Sequence, residues 1–154
     1  MINIEHLSIK ELLLHDAPML LLDKAKYFTD DYIHTVVNVS KNSLFFLREG
    51  VPSYVALEYM AQSIAVWNGM LARQQNDIPK VGFLISSRNL VLKVASFKED
   101  TLLDVHGKIN YNDGFMASFD CWVELNKEIV ATATLSVFQP SNIKKFMEII
   151  ENAK

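Results

Sequence analysis

YVALEYMAQSIAVWNGMLA, running from Tyr54 to Ala72, holds one charged side chain, Glu58, in nineteen residues. A helix this apolar on nearly every side has to be wrapped by protein, because laying it against one surface leaves hydrophobic groups in water. Its length approaches that of a membrane span. However, Glu58, Gln62, Ser63 and Asn68 interrupt it, which fits a buried helix of a cytoplasmic protein with no membrane span. Pro52 and Ser53 mark the start, with Ser53 as N-cap, and the helix should end near Gln75-Asn76-Asp77, ahead of Pro79.

Before this helix, IEHLSIKELL reads as a short amphipathic helix with Ile4, Leu7 and Leu12 on one side. Pro18 then disfavours helix at Ala17 and points to a strand from Met19 to Phe28. DDYIHTVVNVS alternates and is rich in β-branched residues, so it is a second strand, followed by the loop KNSLFFLREGVP. After the helix come VGFLISSRNLVLKV, TLLDVHGKINY, FMASFDCWVEL and EIVATATLSVF, all strand-like, and then a short helix, NIKKFMEIIENA. Asn112-Asp113-Gly114 and Asn126-Lys127 are the hairpin turns, since these residues tolerate positive φ. The economical arrangement is α+β: a strongly curved antiparallel sheet around one long central helix, the hotdog fold, as one domain over residues 1–154. Asp104, His106 and Lys108 alternate on what should be its exposed outer face, with His34 in a similar setting. The open edge of such a sheet needs covering, and edge-to-edge dimerisation is the expected remedy.

The chain has 154 residues, half of them hydrophobic and about a fifth charged, with a net charge of -3. That is an ordinary globular balance without an electrostatic footprint for nucleic acid. Cys121 is the single cysteine, so there is no internal disulfide and no CxxC site, and its alternation with Phe119, Val123 and Leu125 makes it a core thiol. The N-terminus MINIEHLSIKEL lacks the basic-apolar-small pattern of a secretory signal. No His/Asp/Glu grouping has metal-ligand spacing, and no phosphate loop or nucleophile elbow is present.

HDAPMLLLD, GVPSYVALEYMAQSIAVWNG and GFLISSR together resemble the ApeP-like branch of the hotdog 3-hydroxyacyl-ACP dehydratases, relatives of the FabZ/FabA kind and linked to aryl-polyene pathways. The likeness runs in order from about Leu12 to Pro140. It implies a lyase acting on a 3-hydroxyacyl thioester held on the phosphopantetheine of acyl carrier protein, with no cofactor of its own. It also implies a homodimer, or a heterodimer with another hotdog dehydratase, that shares active sites across the interface. In the FabZ/FabA-type dehydratases a carboxylate on the central helix works with a histidine from a loop of the other subunit, and Glu58 stands at the carboxylate position. The histidine is absent, a departure the ApeP-like branch shares: after Phe45-Phe46 the chain reads LREGVPSYV, and read without gaps Glu49 falls where the typical dehydratases have their histidine.

Dehydration needs a base for the α-proton, an acid for the leaving hydroxyl and donors for the thioester oxygen. Glu58 in an apolar setting suits the acid, and backbone N–H groups at Ser53, Tyr54 and Val55 are the candidate donors, at the positive end of the helix dipole. His15, just before Asp16-Ala17-Pro18, is the best replacement base, its bland alternative being a loop-fixing hydrogen bond; Glu49 is a weaker candidate. The bland alternative for Glu58 is a tie to Gln62 at i+4. Gln62, Phe46, Gly82 and Phe83 complete the substrate-contacting candidates. Ala61, Ala65 and Gly69 share a helix face that leaves room for an acyl chain or a close backbone approach. Two further functions compete: a hotdog acyl-ACP or acyl-CoA thioesterase, and a non-catalytic partner of a histidine-bearing dehydratase.

Overall fold

A computed structural model of the chain describes residues 1–15 and 17–153. Asp16, part of the motif read around His15, lies outside the described residues. The elements in chain order are β1 (Ile2–Asn3), α1 (Ile9–Leu12), β2 (Lys24–Thr29), β3 (Tyr32–Asn38), β4 (Gly50–Pro52), α2 (Ala56–Gln74), β5 (Phe83–Leu92), β6 (Ser96–Lys98), β7 (Leu102–Asn112), β8 (Met116–Leu125), β9 (Glu128–Phe138) and α3 (Ile143–Asn152). Seven strands form one antiparallel sheet in the order β1-β2-β3-β7-β8-β9-β5, curved around α2; this is the expected hotdog fold. The inward residues Ile33, Val37, Leu103, Val105, Phe119, Cys121, Val123 and Leu135 are buried against α2, whose own buried residues run around most of its circumference. Burial pushes the Cys121 thiol up to about 12, so it is an inert core group. No described helix is long and apolar enough to cross a membrane.

Both hairpin turns form as their residues require. Asn126 and Lys127 have positive φ (52° and 68°), and Gly114 (φ 91°) follows Asn112, whose side chain accepts its N–H. The helix C-terminus closes with Asn76 in the left-handed region and Asp77 N–H donating to the Ala72 carbonyl. Gly69 performs a different task. A Cβ there would lie 2.2 Å from the carbonyl oxygen of Leu12, so the glycine is what lets α1 press its last turn onto α2.

Five expectations need correction. The first helix is only α1, opened by Ser8, whose N–H donates to Glu11; residues 2–4 instead pair with β2. The strand expected from Met19 begins at Lys24, because Met19 and Leu21 give their backbone groups to the Gln62 amide rather than to a neighbouring strand. The loop ahead of the long helix contains β4, and β6 follows β5; these three-residue strands pair with each other, Gly50 opposite Lys98. Ser53 is not an N-cap: it opens a single 3-10 turn, Ser53–Val55, and its N–H donates to Ala95. Finally, His106 is 7% exposed and the His34 side chain 12%, on the outer sheet face that was expected to leave them in water.

The outer face buries His106 through cross-strand neighbours. Its ring stacks between His34 (4.3 Å) and Trp122 (4.9 Å), and Tyr32 OH lies 2.7 Å from its Nδ1. His34 Nε2 in turn meets Asp104 at 2.6 Å, with Lys26 3.6 Å from the same oxygen. His106 Nε2 has no hydrogen-bond partner, Glu124 being 3.8 Å away. Burial, followed by the neighbouring His34, lowers the His106 pKa to about 4. A base whose folded pKa lies below its unfolded value binds fewer protons when folded, so its neutral form favours folding at high pH. His106 should therefore remove stability as pH falls from about 6.5 towards 4, by about 3 kcal/mol in full. Urea titrations across that pH range should show the decline, and His106→Phe, which keeps a ring in the stack, should flatten it.

Candidate active site

Two elements bring the two catalytic candidates together. Glu58 lies on the first turn of α2, and His15 lies just past α1, which Gly69 holds against the same helix. Their side chains face each other with Nε2 of His15 4.0 Å from Oε1 of Glu58, and each side chain is 38% exposed. Glu58 is therefore not sunk in the core, although the helix carrying it is. It faces an open cavity of about 510 Å³.

Gln62, fully buried one turn further on, fixes this geometry. Its Nε2 donates to Glu58 Oε1 (2.9 Å) and to the Met19 carbonyl (2.6 Å), while its Oε1 accepts the Leu21 N–H (2.9 Å). The amide thus ties the carboxylate and the segment downstream of His15 into one network, in which every hydrogen bond to the amide comes from a different group. The i+4 contact anticipated as the bland account of Glu58 is real, and the oxygen that makes it, Oε1, is the one that lies near His15.

The cavity runs along the α2 face bearing Glu58, Ala61, Ala65 and Asn68, spaced i, i+3, i+7 and i+10. At 1.5 Å rise per residue this floor is about 15 Å long, with two small side chains between a carboxylate and a carboxamide. Trp67, Phe119, Leu71 and Val137 make its apolar wall; Trp67 packs edge-on to Phe119 (5.2 Å) and donates its indole N–H to the Thr29 carbonyl. Asn68 donates to the Lys80 carbonyl (2.8 Å) and holds the stretch that leads to Gly82, also on the cavity. An apolar chain with a polar reacting centre fits such a lining.

Of the other candidates, Gly82 and Gln62 line this cavity, whereas Ser53, Tyr54, Val55, Phe46 and Phe83 do not. Ser53 and Val55 are buried, Tyr54 is exposed, Phe46 packs against the core, and Phe83 packs on Phe146. Glu49 sits in an exposed turn away from the cavity. Gly69 receives the Leu12 backbone, so only Ala61 and Ala65 of the small-residue face are open to a ligand. Asn68 was missed, although its spacing from Glu58 was available. Phe115 just before β8, Phe119 within it and Gln139 just past β9 are distant in the chain, and only the tertiary register brings them here.

The family model described as ApeP dehydratase, of the ApeP-like group, matches residues 7–148. The chain belongs to the ApeP-like dehydratase family. This ApeP-like chain is similar to a solved structure of the dehydratase heterocomplex ApeI:P from Xenorhabdus doucetiae, at 28% identity over 94% of this chain and 97% of that one, with a TM-score of 0.86. It shares its fold with an uncharacterised protein from Pyrococcus horikoshii (12% identity, 92% and 97% coverage, TM-score 0.67). The fold is shared also with a hypothetical thioesterase bound to coenzyme A from Streptococcus pneumoniae (14% identity, 76% and 84% coverage, TM-score 0.61). No curated protein matches the chain.

If Gln62 is the clamp, Gln62→Leu leaves buried partners unsatisfied at Met19 and Leu21 and frees the Glu58 carboxylate. The expected loss of stability is about 2 kcal/mol or more. A denaturation double-mutant cycle with Glu58→Ala should return a coupling energy clearly different from zero, and independent effects of the two substitutions would refute the clamp.

Proposed function

We propose that the chain removes water from a 3-hydroxyacyl thioester carried on acyl carrier protein, giving the trans-2-enoyl thioester. The observation that carries this reading is the His15–Glu58 pair, 4.0 Å apart at the side of a largely apolar cavity. Two groups so spaced can serve adjacent carbons of one substrate. His15 Nε2 takes the proton from C2, and the C2–H electrons form the C2=C3 double bond. The C3–O bond breaks as the protonated Glu58 gives its proton to the departing hydroxyl, which leaves as water. The pair ends as imidazolium and carboxylate, and proton return from His15 to Glu58 restores the starting state. His15 thereby does, within one chain, the work that other dehydratases of this superfamily assign to the loop histidine missing here. Membership of the ApeP-like dehydratases supports the reaction class. Acyl carrier protein as the carrier, and fatty-acid or aryl-polyene-type biosynthesis as the setting, are extensions of that reading.

The β5 edge of the sheet has no strand beyond it among the described residues, so a second hotdog-fold chain is proposed to pair there. The heterocomplex formed by the Xenorhabdus doucetiae protein supports a dehydratase partner. That likeness also favours one competing reading, in which this chain completes the site of a second subunit.

Product analysis separates the readings. The purified chain incubated with a 3-hydroxyacyl-ACP should form enoyl product without releasing free thiol. Glu58→Ala and His15→Ala should each cost about 100-fold or more in rate. Free acid and thiol would instead indicate hydrolysis. Enoyl product that appears only after a second dehydratase subunit is added would assign the partner role, and a folded His15→Ala variant at full rate would remove His15 from the chemistry.

A further inference from the structure

We propose that Asn68 sets the length of acyl group this site accepts: its hydrogen bond to the Lys80 carbonyl latches residues 78–82 across the far end of the cavity and makes that segment the end wall. This rests on the reaction proposed above only in identifying the bound group as an acyl chain with its C3 beside Glu58.

The floor of the cavity changes character along α2. From Glu58 it passes Ala61 and Ala65, reaches Asn68, and almost one turn further on meets Leu71. Small side chains thus give way to a carboxamide and then to a bulky aliphatic group. At Asn76 the backbone enters the left-handed region and the chain reverses, so that Lys80 comes back level with Asn68. Pro79, Lys80, Val81 and Gly82 all border the cavity.

Little else fixes this segment. It has no regular secondary structure, and Ile78 (78%) and Val81 (39%) are exposed, so apolar burial anchors it weakly. Its neighbours on either side are held, Asp77 N–H by the Ala72 carbonyl and Phe83 by pairing with Phe138. Between them, among the described residues, one hydrogen bond joins residues 78–82 to a helix or strand: Asn68 Nδ2 donating to the Lys80 carbonyl at 2.8 Å. Asn68 Oδ1 in turn accepts a long bond (3.5 Å) from Gln139 Nε2, just past β9. A single carboxamide therefore joins the helix, the segment and the end of the sheet.

A length follows from this geometry. The floor from Glu58 to Asn68 is about 15 Å long, and an extended hydrocarbon advances roughly 1.3 Å per carbon, given a C–C bond of about 1.5 Å. A chain with C3 at Glu58 reaches Asn68 roughly eleven carbons later. Shorter chains leave part of the apolar wall at Trp67 and Phe119 unfilled, whereas longer ones press on the latched segment.

Titration calorimetry of the full chain with saturated acyl amides of amino-pantetheine, in graded lengths, reads the end wall without turnover. These probes have neither a hydroxyl to eliminate nor a thioester to hydrolyse. Each added methylene should tighten binding roughly fourfold. The gain should stop at about fourteen carbons in all, and further carbons should weaken binding. Asn68→Leu and Asn68→Asp keep the size of the side chain but cannot donate to Lys80. Both should carry the break to longer chains and improve affinity for a probe just past it on the order of tenfold. Ala65→Leu, which narrows the floor, should move the break to shorter chains. A break that stays in place in both Asn68 variants overturns the latch, and one that ignores Ala65→Leu overturns the chain's course along the floor. A profile with no break, or no binding at any length, overturns the proposal as well. Probes that bind with the expected break while 3-hydroxyacyl-ACP gives no enoyl product would sink the reaction and leave the end wall standing.

Discussion

Because α2 is apolar around most of its circumference, it exists only where protein surrounds it, and the remaining elements are arranged to satisfy that demand. The sheet curves because it must reach around a cylinder, and β3, β7 and β8 turn Ile33, Val105, Phe119 and Cys121 onto it. Polar atoms that the helix carries inward are each answered: Ser63 Oγ donates to the Tyr59 carbonyl and lies 2.6 Å from Thr35 Oγ1, and Gln62 holds two loop backbone groups. The helix face bearing Glu58, Ala61, Ala65 and Asn68 borders the cavity. The candidate site thus borders the least covered face of the helix.

Placement of the two catalytic candidates follows from how that face is bordered. A side chain on a helix is positioned by the helix, but one on a loop needs something to hold the loop. Here the loop after α1 is held at both ends, by the Leu12 carbonyl seated on Gly69 and by Met19 and Leu21 on Gln62. His15 lies between these anchors. Gln62 is thereby a positioning residue for both partners: it touches the carboxylate directly and bounds the histidine's loop.

How much of this was legible depended on the range of the forces involved. β7, β8, β9 and α2 announce themselves by local periodicity, and the turns at Asn112–Gly114 and Asn126-Lys127 by backbone chemistry, so their bounds were readable to within a few residues. Met19 to Asp23 has strand composition yet forms no strand, since a side chain forty residues away competes for its hydrogen bonds. β4 and β6 are too short to show a period and exist through each other. His106 has the alternation of a solvent-facing residue, and only the strand register reveals that Tyr32, His34 and Trp122 close over it. The pairing of His15 with Glu58 was readable as chemistry, whereas the cavity wall from Phe115, Phe119 and Gln139 was not, because it is a product of topology.

Gly69 has a consequence for how this site can vary. Two residues, Leu13 and Leu14, separate Leu12 from His15, and the Leu12 carbonyl rests where any other residue's Cβ would be. A single added methyl group, eleven positions along the helix from Glu58 and in contact with no substrate, would push the loop's near anchor outward and carry the imidazole with it. The separation of His15 from Glu58 is therefore encoded partly as an empty space on the far half of the helix, a spacer made of an atom that is not there.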